Sequence, residues 1–342
     1  MILAGFAACR VDVHQAAGRD GPVRKDWPAL SASSGRCLIC VKPEQLASRY
    51  RCCNHHFLME PAMNGSLAQL LVHMDALPKA QQRLEAARRL GQAQGAAVTA
   101  MYVVMSHFVE LPFSPEIGPG IASALQDIDD QQRRLARTAF DQALATPGAA
   151  VEWAEIREDP MMAAFAQQAF YADLMVLGQH DPSTASSSGV PSDFAENVML
   201  MSGKPALILP YAGMAPAVIG ETVVIAWKPA REAARAVSAA MPLLKRARRV
   251  VILSWSGEDE KVVGKRLDLR GYLRLNGVAA DWLEQGDEPS ALGEVLLSRC
   301  FDMGADLLVM GCYGHSRARE WVLGGTSRTV LESMTLPVLM SH

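Results

Sequence analysis

The sequence predicts an α/β protein made of two tandem, doubly wound, five-stranded parallel-sheet domains of Rossmann-like type. One reason is that short apolar runs alternate with longer helical patterns. The runs are continuously apolar, as strands are when helices cover both faces of a parallel sheet. The other reason is an internal repeat, because the segment 172–178 (ADLMVLG) returns at 305–311 (ADLLVMG), and the apolar run after Pro205 returns after Pro337. The two halves therefore share one plan.

Each half is expected to hold five strands joined by crossover helices. In the first half we predict strands at 69–74, 97–104, 150–156, 173–178 and 205–209, with helices at 79–94, 122–145, 160–171 and 193–202. In the second half we predict strands at 222–227, 249–255, 278–284, 306–311 and 337–340, with helices at 230–246, 259–275, 289–303 and 326–334. The predicted domains are 63–211 and 221–342, and a Gly- and Pro-rich linker at 212–220 joins them.

Composition excludes several classes of protein. A length of 342 residues suits two domains of common size, and 50% hydrophobic residues allow a substantial core. A net charge of -3 argues against a nucleic-acid partner bound by massed phosphate neutralisation. The apolar runs are far shorter than the roughly 20 residues that cross a bilayer, so we expect no membrane partner. Because the sequence shows no credible export signal, we expect a cytoplasmic location.

Residues 1–62 show neither a helical nor a strand period, and they carry five of the seven cysteines. We interpret them as a disordered extension, or as the product of a start codon upstream of Met59 or Met63. A zinc site is the alternative that stays open, since ligands of a suitable type cluster here at Cys37, Cys40, Cys52, Cys53, His55 and His56.

A glycine-rich segment follows the predicted strand at 306–311 and precedes the predicted helix at 326–334. Its glycines have the spacing Gly-x2-Gly-x9-Gly at Gly311, Gly314 and Gly324. Glycines let a backbone approach a phosphate closely, and a helix N-terminus attracts an anion. Further candidate binding residues are Gly325, Thr326 and Ser327 at the start of the helix, with His315 and Arg317 as counter-charge.

This segment resembles the signature of the ATP-binding subgroup of the universal stress protein (UspA-like) family. The resemblance covers the chain from about residue 66 to its end, in two copies, and the second copy is the more specific. It implies strand order 3-2-1-4-5 and ATP or AMP, with Mg²⁺ as an option, over the strand ends. It also implies pairing of the two domains through their last strands, with a homodimer as a further option. Contacts from the first strand of the second half are expected at Ala226, Trp227 and Lys228.

Some positions depart from the family pattern. An Asp usually follows the first strand, whereas the second half has Lys228 and only the first half has one, Asp75. Lys228 either reaches a phosphate or is solvated. Gly325 stands where Ser or Thr is usual, so Thr326 supplies the hydroxyl one residue late. No glycines follow Gly178 at the required spacing, so we predict that domain 1 lacks the cradle and is a structural or regulatory partner.

The predicted function is that of a nucleotide-responsive regulator in the stress response, with no catalytic residue assigned. A weak ATPase is one alternative, but it needs a group that activates water, and the loop offers only Glu320 and His315. A signalling scaffold that binds no nucleotide is the other.

Overall fold

A computed structural model describes residues 67–105, 119–156, 160–184, 189–214, 216–256, 267–312 and 325–342, all of them within one compact unit, Met59–His342. The predicted extension at 1–62 and its candidate zinc ligands lie outside the described residues. Among the described helices, none combines the length and apolar character that a bilayer crossing requires.

Strands and helices alternate through both halves. The first half contains β1 (Gln69–Met74), α1 (Ala80–Gln94), β2 (Ala97–Tyr102), α2 (Pro119–Leu144), β3 (Val151–Glu155), α3 (Met161–Ala169), β4 (Leu174–Gly178), α4 (Phe194–Ser202) and β5 (Ala206–Leu209). The second half contains β6 (Thr222–Trp227), α5 (Arg231–Leu244), β7 (Arg249–Ser256), α6 (Leu269–Leu275), β8 (Asp281–Asp287), α7 (Leu292–Asp302), β9 (Leu307–Gly311), α8 (Thr326–Ser333) and β10 (Val338–Ser341).

The ten strands form one sheet in the order β3-β2-β1-β4-β5-β10-β9-β6-β7-β8. Each half has the predicted order 3-2-1-4-5, and its strands are parallel. The predicted α/β fold class is therefore confirmed. The two five-stranded sheets are joined edge to edge, where β5 and β10 pair antiparallel with Leu207 opposite Leu339.

Two apolar layers enclose the sheet, one on each face. Successive residues of β1 belong to different layers, with Leu70 in one and Leu71 in the other, because strand side chains alternate between faces. The first layer includes residues of α1, α2, α5 and α6. The second includes residues of α3, α4, α7 and α8. Helices on both faces explain why the inner strands are continuously apolar, whereas β3 and β8 at the two ends of the sheet contain charged residues.

The repeated Asp of the two matching segments has a structural role. The Asp173 carboxylate accepts hydrogen bonds from the backbone N–H groups of residues 68–69 at 2.7 and 2.9 Å. The Asp306 carboxylate accepts them from residues 220–222 at 2.9 to 3.2 Å, and partial burial raises its pKa above the usual range. In each half the residue before the fourth strand therefore fixes the start of the first strand.

Two predicted elements are displaced. The part of the predicted helix at 259–266 lies outside the described residues. Within them this helix begins at Leu269, because Asp268 is its N-cap and accepts a hydrogen bond from the Gly271 N–H at 2.6 Å. The strand expected at 278–284 occupies Asp281–Asp287 instead. Val278 is apolar and buried, but its N–H donates to Leu273 O and so closes the preceding helix rather than opening the strand.

We expect Leu339→Ala to lower the free energy of unfolding by about 2–4 kcal/mol, because Leu339 is fully buried where the halves meet. Leu275→Ala is the control, since that side chain is 83% exposed, and its effect should stay within about 0.5 kcal/mol. Urea denaturation of both variants measures the difference. Equal effects would show that the junction between β5 and β10 contributes little to stability.

Candidate functional site

Three of the predicted binding residues lie at the carboxyl ends of two adjacent strands. β6 and β9 are parallel neighbours, with Ala226 opposite Met310. Trp227 ends β6 and Gly311 ends β9, so both lie at the same edge of the sheet. In doubly wound sheets this edge is where ligands bind.

The start of α8 lies at this edge as well. Because β9 and β10 are parallel, the helix that connects them runs back along the sheet, and its N-terminus follows the carboxyl end of β9. Gly325 is the N-cap, and a glycine has no side chain with which to cap the helix. Thr326 is half-buried and Ser327 is buried. The positive end of the helix dipole and the N–H groups of its first turn favour an anion here.

Lys228 lies just beyond β6 and forms an ion pair with Glu288. Its Nζ is 3.3 Å from Glu288 Oε2, and both side chains are nearly half exposed. An ion pair at this exposure contributes less than about 1 kcal/mol. Lys228 is therefore a cation at the rim whose present partner is readily exchanged.

Gly311 is required by packing, whatever the site binds. A Cβ on Gly311 would lie 2.5 Å from Ala233 N and 2.7 Å from the carbonyl carbon of Glu232. The first turn of α5 therefore rests directly on the end of β9. Burial of Glu232 acts to raise its pKa, but the hydrogen bond from Arg231 Nε, a backbone hydrogen bond and the nearby charges of Arg231 and His342 together leave the pKa below its usual range.

The remaining predicted residues, Gly314, His315, Arg317 and Gly324, lie outside the described residues. The structure thus places Ala226, Trp227, Lys228, Gly311, Gly325, Thr326 and Ser327 along one edge.

The first half has a pocket at the corresponding edge, which the sequence analysis did not identify. It encloses about 420 Å³, including the part open to solvent. Side chains from the ends of β1 and β4, from α1 and from the start of α4 line it, among them His73, Asp75, Arg83, Gln179, His180 and Phe194.

A buried ion pair forms one wall of this pocket. Arg83 Nη2 donates to Asp75 Oδ2 at 2.7 Å, and Arg83 Nε donates to His73 O at 2.7 Å. Less than 5% of either charged side chain is exposed. A Cβ on Gly178 would lie 2.2 Å from Arg83 Nη1, so the guanidinium covers the end of β4. Asp75, the Asp that follows the first strand of this half, is the partner of Arg83.

His73 packs beside this pair as a neutral ring. Burial lowers its pKa from 6.5 to about 4. Its Nε2 donates to Val103 O at 2.8 Å, and its Nδ1 is 3.7 Å from Asp75 Oδ2. The ring centroid is 4.4 Å from that of Phe194. The sequence did contain a signal for Arg83, since it stands on the apolar face of α1 that also includes Ala80 and Ala87.

No protein-family model matches this chain, and no curated protein matches it. Among solved structures, a universal stress protein from Archaeoglobus fulgidus DSM 4304 matches with a TM-score of 0.58 and 15% sequence identity, covering 79% of this chain and 94% of that one. This chain has the fold of a universal stress protein.

Two further solved structures match part of this chain. A protein of unknown function from Pseudomonas aeruginosa PAO1 has a TM-score of 0.48 and 12% identity, covering 80% of this chain and 92% of that one. A universal stress protein in complex with cAMP has a TM-score of 0.29 and 18% identity, covering 43% of this chain and 99% of that one.

We expect Gly311→Ala to destabilise the protein by about 1–3 kcal/mol in the absence of any ligand, because the new methyl group collides with the backbone of α5. Gly286→Ala is the matched control, since a Cβ there meets nothing within 4 Å. Urea unfolding of both variants tests this. If the two changes cost the same, close packing at the end of β9 is not what requires glycine.

The buried His73 should make stability depend on pH. Its folded-state pKa of about 4 lies below the ordinary value of 6.5, so between these values the unfolded chain binds a proton that the folded protein does not. The contribution of neutral His73 to the free energy of unfolding is therefore fully present above pH 6.5. It is lost as the pH falls toward 4, by up to about 3 kcal/mol.

Thermal unfolding between pH 4 and pH 7 should show this dependence in the wild type. His73→Gln should show a smaller dependence over the same range, because Gln does not titrate. His180→Gln, at a half-exposed position of the same pocket, should retain the wild-type slope. An unchanged slope in His73→Gln would rule out His73 as the titrating group.

Proposed function

We propose that this chain is a universal stress protein whose second half binds an adenine nucleotide, ATP or AMP, and that it acts in the cytoplasm as a nucleotide-responsive regulator of the stress response. In this proposal residues 63–211 and 221–342 are the two domains and 212–220 is their linker. The observation that carries it is the N-terminus of α8, with the side-chain-free Gly325 as its N-cap, beside the ends of β6 and β9.

The residues at this edge fit an anionic ligand. Because Gly325 has no side chain, no hydroxyl or carboxylate of the N-cap competes for the first-turn N–H groups. Thr326 adds a hydroxyl donor, and Lys228 adds a positive charge that is paired with the partly exposed carboxylate of Glu288. The glycines of 311–324 supply the remainder of the cradle in this proposal, with His315 and Arg317 beside it.

The rest of a nucleotide would extend from the phosphate site toward the end of β6. Ala226 and Trp227 are half-buried there and offer an apolar surface to a base. Mg²⁺ bound to the phosphates would lower their charge. The chain's own contribution is to bind and orient the nucleotide, and no side chain at this edge is proposed as a general base.

Binding is tested by calorimetric titration of ATP with magnesium, and separately of AMP, into the full-length protein freed of any nucleotide that copurifies. We expect saturable binding of one nucleotide per chain. A folded protein that shows no binding would rule out the nucleotide-binding function and favour the scaffold. Phosphate release measured on the same samples tests turnover, and steady release from ATP would favour the ATPase alternative.

Gly325→Asp is the sharpest variant for the site. The Gly325 backbone is extended, with φ of -65° and ψ of 153°, so Asp fits there and is a good N-cap. Stability should hold or rise, whereas the carboxylate repels phosphate and should weaken nucleotide binding on the order of 100-fold. Gly325→Asn is the matched control, because it caps without charge and should bind much more tightly than the Asp variant. Equal binding by both variants would place the nucleotide elsewhere.

A further inference from the structure

Gln179 connects the two halves of the chain through a single side chain. It follows the last residue of β4, and only 7% of it is exposed. Its Nε2 donates to Leu331 O in α8 at 2.8 Å, and its Oε1 accepts from the Tyr211 N–H, just after β5, at 3.0 Å. The amide is therefore held at both ends, between a helix of the second half and the backbone of the first.

The acceptor in this contact is at the end of α8. The last four carbonyl groups of a helix have no partner within the helix. Val330 O accepts from the Met334 N–H at 2.8 Å, and Leu331 O is satisfied by Gln179. Gln179 thus acts as a C-terminal cap for the helix whose N-terminus lies at the proposed phosphate site.

α8 is short and closely packed, so its two ends move together. From Thr326 to Leu331 the helix rises only about 7–8 Å. Val330 is fully buried, and a Cβ on Gly293 of α7 would lie 2.7 Å from Thr329 Cβ. A change in position at the first turn therefore reaches the last turn.

The internal repeat shows how this contact differs from its counterpart. Gln179 corresponds to Cys312, since each follows the final Gly of the repeated segment. The two backbone N–H groups behave alike, donating to Leu209 O at 2.8 Å and to Ser341 O at 3.0 Å. The side chain of Gln179 is an amide, and it donates a hydrogen bond to Leu331 O in the second half. In the first half, the side chain of the residue after β4 therefore binds a helix of the second half.

The same side chain also lines the pocket of the first half. Gln179 stands there with His73, Asp75 and Arg83. The wall of that pocket and the end of α8 are consequently joined by one amide group.

We infer that Gln179 couples nucleotide binding in the second half to the first half, by positioning α8 and with it Thr326 and Ser327. This inference rests on the proposed function. It makes Gln179 a positioning residue, because it is one helix length from the proposed phosphate site. Since coupling is reciprocal, nucleotide binding in turn steadies the contact of Gln179 with Tyr211.

The test compares Gln179→Ala with Gln94→Ala in the full-length protein by calorimetry with ATP and magnesium. Gln94 is the matched control, because its Nε2 also crosses between the halves, to Pro242 O in α5 at 3.4 Å, without contacting α8. Gln179→Ala should bind roughly threefold to tenfold more weakly, as the loss of one hydrogen bond predicts, and Gln94→Ala should bind as the wild type does.

Gln179→Glu separates the two contacts of the amide. A carboxylate can still accept from the Tyr211 N–H but cannot donate to Leu331 O. If α8 is the route of coupling, Gln179→Glu should bind nucleotide at least as weakly as Gln179→Ala. Wild-type affinity in Gln179→Glu would overturn the inference.

Amide hydrogen exchange tests the role of Gln179 even if Gln179→Ala and the wild type bind nucleotide with the same affinity. Without nucleotide, exchange at the Tyr211 amide and in the last turn of α8 should be faster in Gln179→Ala than in the wild type. With nucleotide, exchange at Tyr211 should slow in the wild type and not in the variant. A wild type that binds nucleotide, together with a variant that matches it in affinity and exchange, would overturn the inference while leaving the proposed function intact.

Failure of the proposed function gives a different result. A wild type that binds no nucleotide rules out both the proposed function and its coupling to the first half. Amide exchange in α8 without ligand still measures whether the Gln179 side chain stabilises the end of that helix. Faster exchange in Gln179→Ala would then support Gln179 as a link between the halves, and unchanged exchange would overturn that as well.

Discussion

The antiparallel pairing of β5 with β10 is the contact on which the rest of this structure depends. Each strand is only four residues long and fully buried, and an apolar edge strand of this kind needs a partner. Pairing them turns two five-stranded sheets into one ten-stranded sheet with continuous apolar layers on both faces. It also brings the segment after β4 next to α8, which makes the contact between Gln179 and Leu331 possible.

The two halves pack different groups against the last residue of the fourth strand. Each fourth strand ends in a glycine because another group lies against its last residue. At Gly311 that group is the backbone of α5, and at Gly178 it is the guanidinium of Arg83. The first arrangement leaves the strand end beside a helix whose N-cap is a glycine, whereas the second covers it with a buried ion pair. This difference gives the two strand ends different surroundings even though the topology of the halves is the same.

Much of the candidate site could be predicted from local pattern. Trp227 and Gly311 end apolar runs, Gly325 precedes a helical pattern, and in a parallel sheet such ends meet at one edge. The residues that were missed make long-range contacts that no local period reveals. Gln179 and Leu331 are 152 positions apart in the sequence. The strand pattern around His73 does not reveal that its side chain contacts Val103 and Asp75. A predicted helix boundary was wrong where a polar N-cap, Asp268, sets the start of the helix, because hydrophobicity alone does not reveal a cap.

The sequence by itself determined the α/β class and the internal repeat, because periodicity follows from which residues must be buried, and the resemblance carried by its glycine-rich segment implied the strand order. It also determined where glycine and helix starts occur along the chain. Only the tertiary structure decided which partner each strand end has: helix backbone at Gly311, a buried ion pair at Gly178 and a cross-half amide at Gln179. The reason is physical, since a side chain's hydrogen-bonding and steric partners are set by elements that are distant in sequence and adjacent only after the sheet has formed.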